Sequence, residues 1–138
     1  MKKLLLTLLL ATGSIFAERT EAQVLVIANP SIKSADVSKS DLKEVFTGGG
    51  STLEGSHAVP VLLKSGAAND EFLLAYVGKN DAAFRAAWRS LVFSGQASMP
   101  KSVETDAAMV EYVAHTPGAV GYIAKAAPHE GVKVLAVK

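Results

Sequence analysis

Thr116-Pro117-Gly118-Ala119-Val120-Gly121-Tyr122 is the stretch from which the rest of the chain is most readily understood. The Thr-Pro-Gly triplet ends a helix, because the residue before a proline is driven out of the α region and the glycine accepts a positive φ. Residues 120–124 then read as a short apolar strand. Two glycines around the Ala-Val pair suggest a strand whose backbone is closely approached by another element, and a neighbouring strand would be enough to do that. The helix ahead of it starts at Ser102 or Thr105 and carries Ala108, Met109, Tyr112 and Val113 on one face. Residues 132–137 form one more short strand.

Upstream, short apolar runs alternate with amphipathic segments. Residues 23–29 (QVLVIAN) are an unbroken apolar run closed by Asn29-Pro30, which marks a strand covered on both faces. Ser38 and Ser40 offer N-caps for a helix reaching Phe46, with Leu42, Val45 and Phe46 on one face and Gly48 as its stop. Gly48-Gly49-Gly50 lacks the spacing and the Lys-Ser/Thr pair of a phosphate-binding loop, so it reads as a flexible connector. Residues 59–63 make a second strand, and residues 69–77 a helix with Phe72, Leu73, Tyr76 and Val77 on one face. Asp81 is expected to cap the next helix, with Trp88 in the core and Arg85 and Arg89 one turn apart on a solvated face. Residues 96–101, with Pro100, read as a polar surface crossing.

Strand, helix, strand, three helices, strand, strand is the order of an α/β fold, a mostly parallel or mixed sheet flanked by helices. A chain of 138 residues, 49% hydrophobic and 20% charged, suits one compact domain with a real core. The absence of cysteine rules out disulfides, thiolate metal sites and a cysteine nucleophile. A net charge of +1 argues against a general nucleic-acid binder, which needs a strongly basic face.

Part of the hydrophobic fraction belongs to the N-terminus. Met1-Lys2-Lys3 is followed by a run that is apolar from Leu4 to Ala11 apart from Thr7, and then by small residues, the layout of a signal peptide. Cleavage after Ala17 or after Ala22 fits, and the smaller Thr20 two residues before Ala22 favours the second. The expected division is a signal peptide over residues 1–22 and one domain over residues 23–138, periplasmic or secreted. Removing Lys2, Lys3 and Arg19 together with Glu18 and Glu21 takes the formal charge to zero.

The most suggestive chemistry lies in Lys64-Ser65-Gly66-Ala67-Ala68-Asn69-Asp70, which follows a strand and opens a helix. Backbone N–H groups at such a turn converge on an anion, and the helix dipole adds attraction. The alternative is a plain turn in which Asn69 or Asp70 caps the helix. His57, His115 and His129 fall in or beside loops without metal-ligand spacing. No G-x-S-x-G occurs, and Asp70-Glu71 and Glu104 with Asp106 look like helix-start acids. Neither catalysis nor a cofactor is indicated.

Taken together, these segments resemble the phosphate-binding proteins of ABC transporters. The residues that carry the likeness are 24–29, Ser40-Asp41-Leu42-Lys43-Glu44-Val45-Phe46-Thr47-Gly48, Pro60-Val61, the turn from Lys64 to Phe72, residues 84–95 and the 116–122 segment. The resemblance implies a single lobe of the type 2 periplasmic-binding-protein fold, no cofactor and no catalysis. It implies a ligand turn formed by Lys64, Ser65, Gly66, Ala67, Ala68 and Asn69, holding a small oxyanion such as phosphate. In the family that turn carries an arginine and then serine, glycine and threonine, where this chain has Lys64 and then Ala68, Asn69 and Asp70. A lysine lacks the planar fork of arginine, Ala68 has no hydroxyl, and Asp70 brings a like charge. The expected function is an exported substrate-binding-like module with a weak or incomplete anion site, served by a second chain or a membrane transporter component. The alternative is a non-catalytic periplasmic protein-interaction module.

Overall fold

The computed structural model describes residues 23–138, so the signal-peptide reading of residues 1–22 lies outside the described part. Strand β1 (Val24–Ala28) is followed by β2 (Asp36–Val37), α1 (Lys39–Thr47), β3 (Thr52–Leu53), β4 (Ser56–His57) and β5 (Val59–Leu63). Helix α2 (Ala67–Phe72) runs on into a π-helical turn, Leu73–Val77, and α3 (Asp81–Phe93), β6 (Lys101–Val103), α4 (Asp106–His115), β7 (Ala119–Ala124) and β8 (Lys133–Val137) complete the order.

Six strands form one mixed sheet in the order β2-β8-β1-β7-β5-β6, and β3 and β4 make a separate hairpin. β5 runs parallel to both β6 and β7, whereas β1 is antiparallel to β7 and β8. The strands at the centre are the apolar runs of the sequence, VLVIA in β1 and AVGYIA in β7, buried along almost their whole length. Alternate residues of a strand face opposite sides of the sheet. Thus Gly121 faces α4, where a methyl group added to it would overlap Met109 Sδ, and Tyr122 faces α1 and α2, stacking on Phe72 at 3.9 Å and meeting Phe46 edge-on. The close approach implied by Gly121 is therefore a helix laid across the strand.

Local chemistry accounts for most helix ends. Ser38 caps α1 through its hydroxyl, which accepts from the Asp41 N–H, and Gly48 closes the helix at φ 82°. Gly48 is packed against Trp88 and Leu91 and is less free than a floppy connector would be. Asn80 caps α3, with Asp81 the first helical residue, so the cap lies one position before the residue expected. Thr105 caps α4, whose last carbonyls, Val113 and Ala114, accept from buried Asn29 Nδ2 at 2.8 and 3.1 Å. Trp88 is buried, and its indole N–H donates to Phe46 O at 2.9 Å.

Four short strands were not visible in the alternation. β2, β3, β4 and β6 have two or three residues each, too few to show a period. Residue 101, expected in a surface crossing, pairs with Val61 as the first residue of β6.

Candidate anion turn at the ends of β5 and β6

The parallel strands β5 and β6 end at Leu63 and Val103, and each is followed at once by the start of a helix. α2 leaves toward the sheet face shared with α1, and α4 crosses the opposite face. A crevice therefore opens beyond the strand ends, the position at which open α/β sheets receive ligands. Residues 65–68 and 104–106 line a depression of about 350 Å³ there, with Leu63 and Ala124 as its apolar floor.

The turn into α2 depends on Gly66, whose φ of 108° is disfavoured for any residue with a side chain. No side chain caps this helix, so neither Asn69 nor Asp70 acts as the expected cap, and the helix begins two residues earlier than the apolar pattern indicates. The first helical bond runs from Asp70 N to Gly66 O at 3.0 Å. The N–H groups of Ala67, Ala68 and Asn69 precede it, without partners inside the helix. Asp70 lines a different depression, with Leu74, Asn80, Asp81 and Ala82. On the α4 side, Thr105 Oγ1 accepts from Ala108 N at 3.0 Å.

Lys64 is turned to the rim. Its ammonium pairs with Glu104 at 3.0 Å, both groups being largely exposed. Ser65, Gly66 and Ala67 are exposed and Ala68 half-buried, so four of the six residues of the turn border the crevice. Asn69 is completely buried, with its side chain committed beneath the turn. Its Oδ1 accepts from Tyr122 Oη at 2.5 Å and its Nδ2 donates to Asp81 Oδ1 at 2.8 Å.

Those bonds close a ring. Asp81 Oδ1 also accepts from Arg85 Nε at 3.0 Å, and Arg85 Nη2 donates to Leu63 O at 2.8 Å and Lys64 O at 3.2 Å. The Leu63 N–H in turn donates to Tyr122 Oη at 3.0 Å. Arg85 is thus tied into the fold and is not the solvated side chain expected; residue periodicity placed it on a polar face, but periodicity carries no information about the carbonyls that face it. Both backbone groups of Leu63 are clamped just before the turn, by side chains from β7 and α3, which Asn69 of α2 links through Tyr122 and Asp81. A fully satisfied network of this kind rigidifies what it holds.

Burial lifts the Tyr122 phenol above the ordinary tyrosine range, opposed in part by its bond from Leu63 N–H. Unfolded, the phenol ionises near pH 10; folded, it keeps its proton to higher pH. Its contribution is therefore full below pH 10 and is lost as pH climbs through the folded value. Urea melts from pH 8 to pH 12 should show stability falling above pH 10, with a shallower fall in Tyr122→Phe. Equal slopes in the two proteins would contradict this.

No family model matches the sequence, and no curated protein matches it. Several solved structures are similar. An ABC-type phosphate transport receptor from Vibrio cholerae matches at a TM-score of 0.55 and 14% identity, over 83% of this chain and 46% of that one. A phosphate ABC transporter substrate-binding protein from Clostridium perfringens with bound phosphate matches at 0.61 and 14%, over 83% and 44%. The chain has the fold of one lobe of a phosphate-type substrate-binding protein. PstS from Borrelia burgdorferi gives the same result, at a TM-score of 0.53 and 15% identity over 84% of this chain and 47% of that one. The chain spans less than half the length of each of these three structures.

Proposed function

We propose that this chain is an exported substrate-binding-like module, without catalysis or cofactor, that holds a small oxyanion of the phosphate type weakly at the turn formed by Lys64, Ser65, Gly66, Ala67, Ala68 and Asn69. The observation that carries the reading is the uncapped start of α2: Ala67 and Ala68, whose N–H groups have no partner inside the helix, border a crevice at the ends of parallel strands, and Asp70 lines a different depression. The likeness to phosphate transport receptors supports the same ligand class. An N-terminal signal peptide and a periplasmic location are part of the proposal, as is a membrane transporter component or second chain as partner.

Weakness follows from the charges at the rim. Glu104 and Asp106 border the same crevice, and Glu104 already holds the Lys64 ammonium. An incoming anion must compete with that carboxylate for the lysine. Isothermal titration with inorganic phosphate is expected to give a dissociation constant in the millimolar range, which corresponds to about 4 kcal/mol of binding free energy. Glu104→Gln frees Lys64 and removes a like charge, so it should tighten binding several-fold, and added salt should weaken it. Absence of any heat or thermal shift with phosphate, arsenate and sulfate in both proteins would refute the reading.

A further inference from the structure

The outer face of α3 carries exposed apolar surface that neither the fold nor the anion turn explains. Ala82, Ala83, Ala86, Ala87 and Ser90 are all exposed along it. It ends in Phe93, which is 95% exposed, and Leu74, 66% exposed, stands beside its start. At 3.6 residues per turn, Ala82, Ala86 and Phe93 fall within about 40° of one another, so they form one stripe. A depression of about 500 Å³ lined by Asp70, Leu74, Asn80, Asp81 and Ala82 opens at the N-terminal end of the stripe.

We infer that two copies of this chain pair through α3, antiparallel about a two-fold axis at Ala86 and Ala87, with Phe93 of each copy seated in the Leu74 depression of the other. The spacing is what points to a second copy. Phe93 lies about 10 Å beyond the midpoint of the stripe, and Asn80 and Asp81 lie about 10 Å before it. Antiparallel packing therefore brings the projecting ring opposite the depression twice, as an isologous contact requires. The alanines between them let the two helices approach closely.

Charge agrees with this register. Arg89 sits on the flank of the stripe that also carries the depression, and the two-fold operation keeps flanks together. The guanidinium of one copy then approaches the end of the other copy where Asp70 and Asp81 lie. Antiparallel helices also place opposite dipole ends side by side. A single 13-residue helix is about 20 Å long, so the contact falls at the low end of specific interfaces and the dimer is weak and concentration-dependent.

Sedimentation equilibrium on the full chain from micromolar to near-millimolar concentration tests this without any ligand, so its outcome is independent of phosphate binding. The expected result is a mass rising from one chain toward two. Phe93→Asp should stay monomeric with an unchanged circular dichroism spectrum. Arg89→Glu should weaken association about tenfold, with Asp70→Lys in the same chain restoring it. Because the chain has no cysteine, Ala86→Cys should give a disulfide-linked dimer under mild oxidation. A wild-type chain monomeric throughout, or a Phe93→Asp variant that associates as the wild type does, would overturn the inference.

Discussion

Replacing Tyr122 by phenylalanine should lower the unfolding free energy by about 2–4 kcal/mol, a large loss for one oxygen atom. The ring volume and its stack on Phe72 are kept, so no cavity term enters. What is lost is the hydroxyl that accepts the Leu63 N–H and donates to Asn69 Oδ1, both of them buried. Each group left unpaired costs about 1–3 kcal/mol, whereas a satisfied pair contributes only about 1 kcal/mol net. Asn69→Leu breaks the same ring from the other side. Adding it to Tyr122→Phe should therefore cost less than it does alone, because the oxygen left stranded by the first change has gone. Urea denaturation of the four proteins supplies the cycle; strict additivity would show that the two side chains are not coupled.

Gly121→Ala is expected to cost about 1–3 kcal/mol, the range for forcing an extra carbon into a packed core. Strand geometry at Gly121 tolerates an alanine, so backbone strain is not the cause. The new methyl group collides with Met109, from α4, laid across β7. Met109 is fully buried, although its thioether is flexible enough to give way in part. Met109→Ala in an otherwise native chain opens a cavity and should cost about 2–5 kcal/mol. In the Gly121→Ala background the same change should cost clearly less, since the methyl refills part of the space. Thermal melts of the single and double variants read this directly.

These two positions also show what the sequence can and cannot convey. Gly121 inside an apolar strand signals a close approach, and Phe84, Ala87, Trp88, Leu91 and Val92 at helical spacing signal a buried face of α3, although Ala87 and Val92 at its margins are exposed; both signals are local and survive in one dimension. The ring beneath the turn is different. Tyr122, Asn69, Asp81, Arg85 and Leu63 are separated by up to 59 residues, and nothing in the neighbourhood of Arg85 announces that two carbonyls will face it. Asn69 looked like a cap because caps are chosen by residue type near a helix start, but Gly66 began the helix earlier and left the amide buried. The turn itself was legible, because a strand, a glycine and a helix follow one another within a few residues. The Lys64–Glu104 pair was not, since it joins the ends of two strands that only the sheet brings together. The short strands β2, β3, β4 and β6 were missed for want of length.

A phosphate titration followed by ¹⁵N–¹H NMR tests, residue by residue, for an oxyanion held at the start of α2. The prediction is saturable shifts concentrated at the amides of Gly66, Ala67, Ala68 and Asn69, with smaller ones at Asp106 and Ala107 across the crevice, all fitting one millimolar dissociation constant. Shifts scattered over the exposed lysines and arginines without saturation, or none in residues 66–69, would contradict it.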